Sequence, residues 1–237
     1  MDSRVSLQPA YILHRRPFQN SSLLVDFFTL DHGRVTAVAK GARRQKSRYR
    51  ALMQLFHPLL VSFSGRGEVK TVTAVEAARE AITLRGERLF SALYLNELLA
   101  RLLQNGEEQI GLYKHYQRSL LALQDRFELE VVLRNFELNL LMELGYGINL
   151  QEDCLSQQPI AAEAVYRFTA DLGFERIEAD GDITGNLFYG RHLTALRELR
   201  LDEPEAAAAA KRLLRMALSA HLGDKPLTSR SLFMARL

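Results

Sequence analysis

The chain has a single cysteine, Cys154, among 237 residues. That excludes an internal disulfide framework and any cysteine-rich zinc site. No apolar run approaches the roughly 20 residues that a membrane-spanning helix needs. The first residues, Met-Asp-Ser-Arg-Val-Ser-Leu-Gln-Pro, lack the apolar core of a signal peptide. The expectation is a soluble, cytosolic protein. No internal repeat is present. Its six histidines are scattered, with no His-x-x-x-His pair. Gly65-Arg66-Gly67 lacks the Lys-Ser/Thr of a phosphate loop and the helix that should follow. A two-metal nuclease built from Asp26, Asp31, Glu68 and Glu76 has no support in their spacing, and their charge would weaken phosphate binding. The pattern is that of a non-enzymatic protein with no cofactor.

What is present is 47% apolar and 25% charged sequence, enough for one or two domains and a sizeable core. The net charge of +3 hides an uneven layout. Residues 1–80 carry +7, residues 81–204 carry −8, and residues 205–237 carry +4. An acidic middle between basic ends suggests that an anionic partner touches the ends. Six of the eleven residues from 40 to 50 are basic and none is acidic. Lys40, Arg43, Arg44, Lys46, Arg48 and Arg50 there form a candidate polyanion contact, because neutralising phosphates releases counterions. Tyr49 inside the cluster is a candidate for base stacking. The plainer alternative is a solvated charged loop.

Residues 8–80 read as β-structure. Five β-runs lie there: 10–16, closed by Pro17; 22–30; 34–40, after an Asp-His-Gly turn; 58–64; and 68–76. Five short strands in this length suit a small closed barrel. With the basic loop, the barrel reads as an oligonucleotide-binding fold. Arg34, Arg66 and Lys70, on its strands and at its Gly65-Arg-Gly67 turn, join the candidate DNA-binding set. Phe27, Phe28, Phe56 and Phe63 are expected mostly in the core. From about residue 85 the apolar period becomes helical: stripes at 89–103, 112–123 and 129–144 predict three helices, antiparallel neighbours in a bundle. Residues 146–190 read as irregular, with a hairpin across 170–173. Further helices are expected at 190–199 and 204–222, and a final short one capped by Thr228 or Ser229. Lys211, Arg212, Arg215, Lys225 and Arg230 form a second basic group. It is either a further nucleic-acid contact or compensation of a helix dipole. The fold class is therefore α+β: a barrel domain at 1–80 and a mainly helical domain at 81–237.

Several stretches in order resemble the bacterial recombination mediator family RecO, in its short proteobacterial form. They are Tyr11-Ile-Leu-His-Arg-Arg-Pro17, Asp26-Phe-Phe-Thr-Leu-Asp-His-Gly-Arg-Val35, Val38-Ala-Lys-Gly-Ala-Arg43, Gly65-Arg-Gly-Glu-Val-Lys-Thr71, Tyr94-Leu-Asn-Glu-Leu-Leu99, Arg134-Asn-Phe-Glu-Leu138 with Leu144-Gly-Tyr-Gly147, Lys211-Arg-Leu-Leu-Arg-Met-Ala-Leu218 and Leu222-Gly-Asp-Lys-Pro-Leu-Thr-Ser-Arg-Ser-Leu-Phe233. The resemblance implies binding of single- and double-stranded DNA, strand annealing, and loading of RecA. It implies partnership with RecR and with the acidic C-terminal tail of single-stranded DNA-binding protein, in a cytoplasmic, nucleoid-associated setting. For that tail it points to Arg134, with Tyr94, Leu98 and Phe136 as an apolar floor. The sequence departs from the family in one respect. Many members carry four cysteines after Gly-Tyr-Gly, and here Cys154 stands alone. The hairpin must then be held by packing of Tyr166, Phe168, Phe174 and Ile177. The competing reading is an RNA-binding protein of the same fold.

Overall fold

The structure, a computed structural model, describes residues 4–179, 182–229 and 232. By its packing the chain divides into two compact units, Met1–Asp125 with Pro226–Leu237, and Arg126–Lys225.

The first unit begins with five strands: β1 (Arg4–Phe18), β2 (Ser22–Thr29), β3 (Gly33–Ala39), β4 (Leu59–Ser64) and β5 (Lys70–Ala77). They close in the order β1-β2-β3-β5-β4. Only the β3–β5 pairing is parallel. This is the barrel expected from the sequence. Alternation turns Ile12, Val25, Phe27, Val35, Ala37 and Val61 into one core. Strand β1 is longer than its apolar run. It passes through Pro9 and Pro17, pairing with β4 in its first part and β2 in its second. Register shifts at Val5/Gln8 and at Ile12/His14 let one strand bend around the closed sheet. A further shift at Ser62/Phe63 breaks the alternation between β4 and β5, so Val72 and Val75, of opposite parity, are both buried.

Two helices, α2 (Gly86–Leu102) and α3 (Ile110–Gln124), belong to the same unit as the barrel. Asn96 of α2 is buried, and its amide donates to the carbonyls of Ile12 and Leu13, where β1 bulges. Tyr116 of α3 donates its hydroxyl to the Asn96 carbonyl at 2.5 Å. A bulge leaves backbone groups unpaired, and these side chains supply the partner. Tyr11 and Phe28, on the outside of the barrel, pack against Tyr113 and Tyr116 with ring centroids 5.3–6.0 Å apart. Burial pushes the phenols of Tyr11, Tyr113 and Tyr116 up, so all three stay neutral at physiological pH. Gly33 lies at φ +55, and a Cβ there would sit 1.7 Å from the Glu107 carbonyl oxygen, so only glycine fits.

The chain leaves this unit after Asp125 and re-enters it at Pro226. Glu97 of α2 receives the return, accepting from the amides of Thr228 and Ser229 (both 2.8 Å) and from the Ser229 hydroxyl (2.6 Å). Arg101 donates to the Pro226 carbonyl at 2.7 Å. Burial pushes the Glu97 carboxyl up. The Ser229 and Thr228 donors and Arg101 outweigh it and leave it below its ordinary pKa. The helical turn predicted at Thr228 and Ser229 is therefore capped by a distant carboxylate; most of its further course lies outside the described residues.

The second unit holds α4 (Leu129–Glu143), β6 (Val165–Thr169), β7 (Gly173–Ile177), β8 (Leu187–Tyr189), α5 (Gly190–Arg197) and α6 (Pro204–Leu222). Helix α4 packs against α6, so the three predicted helices are divided between two units instead of forming one bundle. The predicted hairpin is β6–β7, and β8, within the stretch expected to be irregular, pairs on the other side of β6. Tyr166, Phe168, Phe174 and Phe188 are buried between the sheet and its neighbours.

In the loop that carries Cys154, a carboxylate ties the chain to the hairpin. Asp153 is buried and accepts from the amides of Leu155 (2.8 Å), Ser156 (2.6 Å) and Arg176. Next to it, the Cys154 amide donates to the Phe174 carbonyl at 2.7 Å. The Ser156 amide, then those of Arg176 and Leu155, hold the Asp153 carboxyl down at about 2 against the cost of burial. A carboxylate depressed in the folded state contributes stability above its unfolded pKa of about 4, and loses it as pH falls through about 2. Asp153→Asn is expected to destabilise the protein by about 2 kcal/mol at pH 7 and to be indistinguishable from the parent near pH 2. Urea melts across that window check this; equal stability at pH 7 would remove Asp153 from the role.

Candidate nucleic-acid interface

The basic loop is a series of turns seated on the barrel. It leaves β3 at Gly41, whose φ of +68 reverses the chain. Amides then bond back at short range: Ala42 to Ala39, Arg44 to Gly41, Ser47 to Arg44 and Arg50 to Ser47. A short helix, α1 (Tyr49–Leu52), closes it. Ala42 is buried in the barrel core, and Tyr49 and Leu52 pack against that core. Around these anchors Lys40, Arg43, Arg44, Lys46, Arg48 and Arg50 are all exposed. The loop also folds onto the β1–β2 turn: the Arg43 amide donates to Ser21 O at 2.9 Å and its guanidinium to Gln19 O at 3.4 Å. Six cations thus stand on a backbone tied down by its own turn bonds and by the β1–β2 turn.

Arg15, which charge counting did not single out, pins the far end of this loop. From β1 its guanidinium donates to the Met53 carbonyl and, at 2.7 Å, to Gln54 Oε1. Gln54 in turn donates to Arg50 O at 2.9 Å.

Several predicted contacts have other employment. Tyr49 is not splayed for stacking. Its ring packs on the core, and the Arg48 guanidinium lies 5.0 Å above its centroid. Arg34 donates to the Ala100 carbonyl at 2.6 Å and lies 3.6 Å from Asp26, so it fastens β3 to the end of α2. Lys70 donates to the Gly65 carbonyl at 3.1 Å within its own hairpin, while Arg66 at the tip is exposed. On α6, Lys211 and Arg215 are exposed, and Lys211 lies 3.8 Å from Glu130. Arg212 is occupied: it lies over the Phe188 ring at 4.5 Å and donates to Leu187 O at 2.7 Å. Lys225 is exposed, and Arg230 lies outside the described residues.

The four residues expected to receive the tail are all buried within their own units. Arg134 is 4% exposed and pairs with Glu137, itself 1% exposed, at 2.8 Å, and with Glu130 at 3.5 Å. The spacing Arg-x-x-Glu puts both groups on one face of α4, where each neutralises the other. Phe136 is fully buried in the second unit, and Tyr94 and Leu98 are buried in the first. Both ends of the proposed recognition are therefore committed to packing.

A family model described as Recombination protein O N terminal matches residues 1–81, and one described as Recombination protein O C terminal matches residues 84–231. The chain belongs to the RecO family. Curated relatives agree along almost the whole length. "DNA repair protein RecO" of Pseudomonas putida (strain GB-1) is 48% identical, covering 97% of each chain. The protein of the same description from Cellvibrio japonicus (strain Ueda107) is 43% identical over 97% of each chain. That from Coxiella burnetii (strain CbuG_Q212) is 42% identical, over 98% of this chain and 99% of its own. In this RecO-family chain the motif Tyr94-Leu-Asn-Glu-Leu-Leu99 has a structural content: Asn96 fastens the β1 bulge and Glu97 the returning chain. Among the described residues no helix is long and apolar enough to cross a membrane.

Proposed function

We propose that this chain is a DNA repair and recombination mediator that binds single- and double-stranded DNA and anneals complementary strands without catalysing bond chemistry. The observation that carries the reading is the basic loop, with six exposed cations on a pinned backbone. Such a surface neutralises phosphates on two strands at once, lowers their repulsion and leaves base edges free to pair. Family membership supports the rest of the proposal: action on DNA coated with single-stranded DNA-binding protein through that protein's acidic tail, cooperation with RecR, and loading of RecA. The tail's acceptor on this reading is not Arg134, whose charge is already paired.

The test is annealing of complementary strands precoated with single-stranded DNA-binding protein, with and without this chain. A severalfold acceleration is expected, abolished at high salt. No acceleration at any salt overturns the annealing function. Matched DNA and RNA competitors in the same assay decide the nucleic-acid class; stronger competition by RNA would favour an RNA-binding protein of the same fold.

A further inference from the structure

We infer that the outer face of β1–β2–β3, beside the basic loop, is a base-stacking platform for single-stranded nucleic acid, with Phe18 as the stacking ring. This rests on the nucleic-acid reading of the loop and goes on to say where the bases lie. Val25, Phe27, Ala37 and Ala39 point into the barrel core. Alternation therefore turns Leu24 and Val38 to the outside. The pairings Arg16↔Leu24, Leu24↔Val38 and Phe18↔Ser22 bring Arg16 and Phe18 onto that same face. Phe18, Leu24 and Val38 are half-buried, and Arg16 and Lys40 are exposed. Arg43 is held at the adjoining turn by its bonds to Ser21 and Gln19. Next to the ring, Gln19, Asn20, Ser21 and Ser22 line an open hollow of about 450 Å³.

Elimination points the same way. Of the Phe and Tyr residues between 4 and 77, Tyr11, Phe27, Phe28, Phe56 and Phe63 are buried. Tyr49 is covered by Arg48. Phe18 is the ring that remains. The other end of the outer face is closed, because Phe28 lies under Tyr113 and Tyr116. Asp26, the carboxylate on this face, is engaged by the Thr36 hydroxyl at 2.6 Å and by Arg34 at 3.6 Å, so its charge is offset. Cations on two sides of a small apolar surface fit a single strand, whose bases reach the ring while its phosphates meet Arg16, Lys40 and Arg43. A duplex keeps its bases stacked on one another and meets only the cations.

The chain has no tryptophan, so Phe18→Trp installs one indole as a reporter. A thymidine oligonucleotide is expected to quench it, and an abasic oligonucleotide of equal length is not, although both bind by anisotropy. Phe18→Ala is expected to weaken thymidine oligonucleotide binding roughly ten- to hundredfold with the salt slope and duplex affinity unchanged. Phe18→Leu, which keeps apolar volume, should show the same loss if the Ala variant folds poorly. Unquenched indole at saturation, or full single-strand affinity in both variants, overturns the platform. If the parent chain binds neither oligonucleotide at low salt, the nucleic-acid reading itself fails, which is a separate outcome.

Discussion

Replacing Arg43, Arg44, Lys46 and Arg48 together by Ala is expected to reduce the slope of log affinity against log salt by about 3. Each phosphate neutralised contributes about 0.7 for a single strand and about 0.9 for a duplex. Four exposed cations therefore give a change near 3, and binding near physiological salt should fall by roughly two to three orders of magnitude. All four side chains are exposed, so the loss does not come from a disturbed core. The loop's anchors, Ala42, Tyr49 and the Arg15 bonds, remain in the variant. Titration at several salt concentrations measures the slope directly. An unchanged slope would show that the phosphates are met elsewhere, with the exposed Lys211, Arg215 and Lys225 the next set to remove.

The second large effect concerns stability. Arg134→Ala should destabilise the protein by about 3–5 kcal/mol, because it removes the guanidinium that stands 2.8 Å from the buried Glu137 carboxylate. Replacing Arg134 by Met and Glu137 by Leu together should recover most of that loss, since the pair's desolvation cost leaves with it. Denaturant melts of the two single variants and the double close the cycle. A mild Arg134→Ala, below about 1 kcal/mol, would mean that the guanidinium is held loosely, as at a surface pair. The experiment also bears on partner recognition. Any loss of tail-peptide binding in an Arg134 variant must be read against its melting curve, since a group this buried acts on the whole of α4.

Much of the barrel was legible because a strand with one buried face leaves a period of two. Val35, Ala37 and Ala39 show it plainly, and all three are buried. The basic loop was legible because charge density needs no geometry to be counted. What failed was the assignment of individual charges. Arg34 is fastened by a carbonyl 66 positions away in the chain, a contact with no local trace. Arg134 carried a local trace, the acidic residue three positions on, but spacing does not say whether a helix face is wet or dry. Tyr49 lies in a polar stretch, yet a barrel end offers it a place to pack. Phe18 escapes a sequence reading in which Pro17 closes the run 10–16, and Arg16, inside that run, carries no local sign of the face it occupies. In the structure Pro17 pairs with Leu23 and the strand continues past it. A proline withholds only one amide, and near a strand's end that loss is tolerated.

The Glu97 clasp also sets an order in time. Thr228 and Ser229 follow Glu97 by 131 and 132 residues. At about 5–20 residues per second, a ribosome needs roughly 7–26 s to reach them after making Glu97. During that interval the barrel and α2 are already synthesised, and Glu97 has no amides to accept from. The first unit therefore leaves the ribosome unfinished, and the turn at Thr228 and Ser229 is added only when the whole second unit has been translated. Termination anywhere within that unit leaves the Glu97 carboxylate without the Thr228 and Ser229 donors that hold it in the finished fold.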